Sequence, residues 1–236
     1  MAIRVLFILL LCLCSFGCSA PPMQGVAPVP TCNIAYDETL KPDDFRGVHL
    51  SPDYMLAIQG KVDPDYEVRS ARDAADLFSR FHEPPLPKLP NCVTTAYRIT
   101  WVPSFHRTSI VRVWRSEDGQ FITIKRLERT ANNRNGYSYA EKTRRISIGD
   151  WKAVQSVIEK IQYWSQPSTE IERLPNDGAG WLIEGRYLGC YHSVFRVTPE
   201  MGLEMLIRRM FAMTGEKTEI DEYLPTDGIF LRDIFQ

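Results

Sequence analysis

Glu184, His192 and Arg196 are the residues whose types and spacing come nearest to chemistry. They fall in two strand-like runs, 180–186 and 190–197, separated by Tyr187-Leu188-Gly189. If those three residues form the loop of a hairpin, Arg186 stands opposite Cys190, Glu184 opposite His192 and Leu182 opposite Val194. A carboxylate beside an imidazole favours the imidazolium and raises its pKa into the range where proton transfer works. Arg196 shares that face by the period of two, so Glu184, His192 and Arg196 together offer a site for an anionic ligand. A two-residue Leu188-Gly189 loop would instead set Ser193 opposite Glu184 and dissolve the pair. The competing reading is that these charges line a solvated sheet face, the commoner situation on antiparallel strands.

Other chemistries find less support. Ser104, Ser109 and Ser116 lie in no Gly-x-Ser-x-Gly turn, so the strand-turn-helix of a serine nucleophile is missing. His49, His82 and His106 are widely spaced, with no ligand pair at metal spacing, and no cofactor is implied. Cys190 could act as a nucleophile beside His192, but a buried, inert thiol is the preferred reading. The middle of the chain is locally basic, through Arg107, Arg112, Arg115, Lys125, Arg126, Arg129, Arg134, Lys142, Arg144 and Arg145. Such a stretch is either a surface for anionic head groups or acidic glycans, or a solvated strand face. The net charge of −1 argues against a nucleic-acid partner, which would call for a basic excess.

The elements that must position these residues can be read from periodicity. Helical spacing of Ala71, Ala75, Phe78 and Phe81 predicts a short amphipathic helix over 69–82. Strands are expected over 93–101, 109–115 and 120–127, the last two joined through Glu117-Asp118-Gly119, followed by a loop over 132–139 and a strand over 142–148. Asp150 is the expected N-cap of a helix over 151–163, with Trp151, Val154, Ile158 and Ile161 on one face. Thr198-Pro199-Glu200 predicts the start of a last helix, with Leu203, Leu206, Ile207, Met210 and Phe211 as its apolar stripe and Gly215 as its end. The implied fold class is α+β, an antiparallel sheet with helices packed on one face.

The N-terminus carries an address. Arg4 precedes the unbroken apolar run Val5 to Cys14, which at roughly 1.5 Å per residue is short for a membrane span but suits a signal peptide. Ser15-Phe16-Gly17-Cys18 then resembles the lipobox of bacterial lipoproteins, with Ser15 where the family prefers Leu. That resemblance implies lipidation of Cys18 and, because Ser19 follows it, an outer-membrane lipoprotein facing the periplasm; plain cleavage after Ala20 is the alternative. The expected organisation is a leader over 1–18, a proline-rich tether over 19–31 and one α+β domain over 32–236. Cys32, Cys92 and Cys190 remain in the mature chain and allow three disulfide pairings.

Between residues 151 and 199 the order of motifs resembles a recurring pattern in uncharacterised, often exported bacterial proteins. Its parts are Tyr163-Trp164, Asp177-Gly178, the Trp-x-x-Glu-Gly run Trp181 to Gly185, Tyr191-His192, and Arg196 with Pro199. The resemblance brings no activity with it. The expectation is therefore an envelope-anchored domain that binds a protein partner or a small anionic ligand, with an enzyme using Glu184 and His192 as the alternative.

Overall fold

The computed structural model describes residues 32, 34–46, 48, 66–129, 137–168 and 178–224. The expected leader with Cys18, the expected tether and Asn176-Asp177 lie outside the described residues. Six antiparallel strands form one sheet: β1 (Thr95–Pro103), β2 (Ser109–Ser116), β3 (Gly119–Arg129), β4 (Tyr137–Arg145), β5 (Ala179–Tyr187) and β6 (Cys190–Arg196), in the order β4-β3-β2-β1-β5-β6. With the helices α1 (Tyr66–Arg80), α2 (Ile148–Lys160) and α3 (Met201–Thr214) they make an α+β fold.

The strand content follows from side-chain shape. β1 reads TAYRITWVP, rich in β-branched and aromatic residues, and lies between β2 and β5 with nearly every residue buried. Its alternation divides the molecule. Tyr97, Ile99 and Trp101 point to one face, where α2 and α3 add Trp151, Val154, Ile158, Leu203, Leu206, Ile207, Met210 and Phe211 to a single core. Trp101 and Trp181, register partners on β1 and β5, stack there at 5.8 Å between ring centres.

Ala96, Arg98 and Thr100 point to the other face, which the sequence pattern alone would leave open. There α1 packs Ala71, Ala74 and Phe78, and the turn after it packs Phe81, against Ile110, Leu182 and Phe195 from the sheet. The first helix therefore lies opposite the two later ones, because its apolar stripe needs a surface and this face supplies one. Beside it, Cys32 and Cys92 form a disulfide, 60 residues apart in sequence, and pack with Leu86, Leu89, Val93 and Trp114.

Several element ends differ from expectation. α2 starts at Ile148, and its cap is Ser147, whose hydroxyl oxygen accepts from the Asp150 amide at 3.0 Å. Asp150 stands three positions into that turn and accepts the Ser147 hydroxyl hydrogen at 2.8 Å, so the two residues share the capping. α3 begins two residues later than its proline suggests, with Glu200 as N-cap, and ends as expected on Gly215 at φ 71°. Tyr137 to Tyr139 belong to β4 and not to a loop. β4 is an edge strand, and Glu141, Lys142, Arg144 and Arg145 keep that edge charged.

Candidate functional site: a buried ion cluster on the sheet

The hairpin register decides the fate of the expected site. Tyr187 pairs with Cys190, leaving Leu188-Gly189 as a two-residue loop with φ 44° and 86°. Both values are left-handed, as a type I′ hairpin turn requires, and Leu188 is an unfavourable residue for it. The Leu188 amide donates to the Thr94 carbonyl at 3.3 Å, which ties the turn to the start of β1. Ser193 consequently stands opposite Glu184, while His192 stands opposite Gly185 and Arg196 opposite Trp181. Glu184 is thus on the opposite face of the sheet from both His192 and Arg196, and the expected three-residue grouping is not formed.

Each of the three has its own surroundings. The half-buried His192 ring meets Tyr163 at 5.3 Å and Trp164 at 6.4 Å between ring centres. Tyr163 donates its hydroxyl to the carbonyls of Ile183, at 3.1 Å, and His192, at 2.9 Å, and burial pushes its pKa well above the usual phenol value. This crossing needs Gly185, where a Cβ would lie 2.7 Å from the Tyr163 ring. Arg196, 1% exposed, donates to the Pro167 carbonyl at 3.0 Å and so holds the chain after α2. Cys190, half-buried at the start of β6, is disulfide-bonded, so it is not the buried, inert thiol that was expected there.

Glu184 is fully buried within a cluster that the sequence did not reveal. Arg98 on β1 donates through Nε at 2.6 Å and Nη2 at 2.7 Å to its two carboxylate oxygens, the planar fork matching the carboxylate. Tyr191 donates its hydroxyl to the same carboxylate at 2.9 Å, and burial followed by the Glu184 charge raises the Tyr191 pKa well above its ordinary value. The remaining Arg98 nitrogen donates to the Pro84 carbonyl at 2.6 Å, and the guanidinium lies 4.1 Å from the centre of the Phe78 ring.

Arg98 stands directly opposite Arg112 on β2, an arrangement of like charges that is unfavourable by itself. Glu83, from the turn after α1, resolves it. Its Oε1 accepts from both Arg98, at 3.3 Å, and Arg112, while Oε2 faces Lys125 on β3 at 3.0 Å. Lys125 also donates to the carbonyls of Phe81 and His82 at 3.0 and 2.9 Å, capping the C-terminal end of α1. Glu141 adds a more distant carboxylate at 3.6 Å. Glu83 is 0% exposed; burial alone would raise its pKa, but Arg112, Arg98 and Lys125 outweigh that and hold it below the carboxylate value of 4.5. The same logic runs in reverse for Arg98: burial opposes its charge, and Glu184 and Glu83 more than restore it.

The basic stretch is therefore no single patch. Arg112 and Lys125 point inward, Lys142 pairs with Glu216 at 2.9 Å, and Arg145 donates to the Asp118 carbonyl at 2.7 Å. Among the described residues no group of His, Cys, Asp and Glu is arranged to hold a metal ion. Glu83 and Arg98 escape a reading of the sequence because their partners come from distant elements. The available signal is a charged residue in mid-strand in each of three apolar strands, Arg98, Arg112 and Glu184.

No family model matches this chain, and no curated protein matches it. Among solved structures it has a distant resemblance to the crystal structure of a "putative adenylate cyclase" from Bacillus halodurans, at 16% identity and a TM-score of 0.18. The alignment covers 63% of this chain and 89% of that one. At that score the likeness carries no argument about fold or activity.

Proposed function

We propose that this protein is an exported, lipid-anchored envelope protein whose domain works by binding a partner protein or a small anion. The address rests on the leader and the lipobox-like Ser15 to Cys18. It is supported by the Cys32–Cys92 disulfide, a bond that persists in oxidising compartments such as the periplasm. Binding is favoured over catalysis by one observation: Glu184, the residue best suited to acid-base work, is consumed by Arg98 in a pair with no exposure, on the other face from His192. A general base must reach the proton it takes, and this carboxylate reaches only protein.

Fractionation of cells producing the wild type and Cys18→Ser tests the anchor. The wild type should partition with membranes and shift in mass on lipidation, and Cys18→Ser should be released or accumulate as precursor. Equal membrane association and equal mass in both would overturn the reading.

A further inference from the structure

We propose that Arg98, Arg112 and Lys125 form an oxyanion site on the sheet, and that Glu83 is its built-in occupant, displaced by a phosphate-type anion when α1 lifts. This deepens the binding function and rests on it. Three adjacent strands, β1, β2 and β3, each contribute one cation to a single carboxylate that comes from outside the sheet. Glu184, by contrast, belongs to β5 and stays beside Arg98 whatever α1 does.

Two observations show that a carboxylate is an incomplete ligand for this cradle. The fully enclosed charges are Arg98, Arg112 and Lys125 against Glu83 and Glu184, so a positive excess remains; Glu141, 41% exposed, is partly screened by water. The Nε of Arg112 is buried and has no hydrogen-bond partner among the described residues, although Arg112 is only 3% exposed. Oε1 of Glu83 already accepts from two arginines, and Oε2 is committed to the ion pair with Lys125 at 3.0 Å although it makes no hydrogen bond of its own. A phosphoryl group brings further acceptor oxygens and further negative charge, which meets both deficits.

The segment that carries Glu83 has a defined point of articulation. His82 has φ 47°, and the helix ends in a Schellman arrangement in which the Glu83 amide donates to the Phe78 carbonyl at 2.9 Å. Glycine normally fills that left-handed position, so His82 holds strained backbone immediately before the occupant, and Pro84-Pro85 stiffens the chain after it. Release of Glu83 also removes the Phe81 and His82 carbonyls from Lys125, so the cation and the helix end part together.

The test titrates inorganic pyrophosphate into the full chain by calorimetry, comparing wild type, Glu83→Gln and Glu83→Gln/Arg112→Met. Glu83→Gln should bind at least about tenfold more tightly than wild type, and the added Arg112→Met should abolish the gain. A folded Glu83→Gln with no gain overturns the proposal. If Glu83→Gln does not fold, hydrogen exchange on wild type decides. Pyrophosphate should lower protection across 66–83 while β1 to β3 stay protected, and an unchanged α1 overturns the site. A parallel arm with phosphatidylglycerol vesicles, against phosphatidylcholine, separates a lipid head group from a soluble phosphate. A partner captured by cross-linking in intact envelopes while these titrations fail would leave the binding function standing and remove only this site.

Discussion

Arg98 and Glu184 face each other across β1 and β5, joined by two hydrogen bonds of 2.6 and 2.7 Å, and neither reaches solvent. Such a pair adds little net stability relative to apolar residues of the same size, because two charges must leave water. Losing one partner alone is far more damaging, since the other charge then stays buried without compensation.

Arg98→Met should leave the Glu184 carboxylate buried with only Tyr191 as a hydrogen-bond donor, and should cost about 3 to 5 kcal/mol. The double substitution Arg98→Met/Glu184→Leu should cost less than either single change. Urea unfolding measures all three; additive losses would show that the two charges are not coupled.

Acid should weaken the fold through Glu83. Its folded pKa lies below its unfolded value, so its contribution is present above the unfolded pKa and is lost as pH falls through the folded one. Unfolding free energy should therefore decline from about pH 5 downward. Glu83→Gln should show a shallower decline over the same range, and parallel curves for the two proteins would contradict the assignment.

Gly185→Ala should be costly in a strand where alanine is ordinarily harmless. The added Cβ meets Tyr163 Cε1 at 2.7 Å, and Tyr163 is fully buried between Tyr97 and His192. Overpacking of this kind costs about 1 to 3 kcal/mol. At Gly180 the same atom meets the Phe195 ring at 3.1 Å, so Gly180→Ala is the milder change. Thermal melts of both variants check the order.

Leu206→Ala, on the buried stripe of α3, should cost about 2 to 5 kcal/mol. A change below about 0.5 kcal/mol would place that side chain at the surface.

The α+β class, the strand runs and the apolar stripes of the helices are legible in the sequence because burial periodicity is local information. The stripe of α3, from Leu203 to Phe211, is buried as its spacing implies. The hairpin is harder to read because Leu188 is a poor residue at a left-handed φ, which makes a longer loop look better. The register is decided elsewhere, by the draw of Arg98 on Glu184 and by the room that Gly185 leaves for Tyr163. Glu83 cannot be found from its neighbours, since its three partners lie 15, 29 and 42 residues further along the chain. The motif Trp-x-x-Glu-Gly makes physical sense in the folded protein: Trp181 stacks on Trp101, Glu184 pairs with Arg98 and Gly185 admits Tyr163.

The disulfide also determines how the domain bears tension. A pull arriving at Cys32 from the N-terminal side crosses the sulfur bridge to Cys92, three residues before β1, without first straightening the intervening 60-residue span. β1 is hydrogen-bonded along both edges, to β2 and β5, so the load enters the sheet at its centre and acts along a strand held on two sides. Without the bridge the same pull would be carried through α1 and the turn bearing Glu83, drawing on the helix-to-sheet contacts. The sulfur bridge thus works as a strain relief, directing a pull at Cys32 into the centre of the sheet and sparing the ion cluster beneath α1.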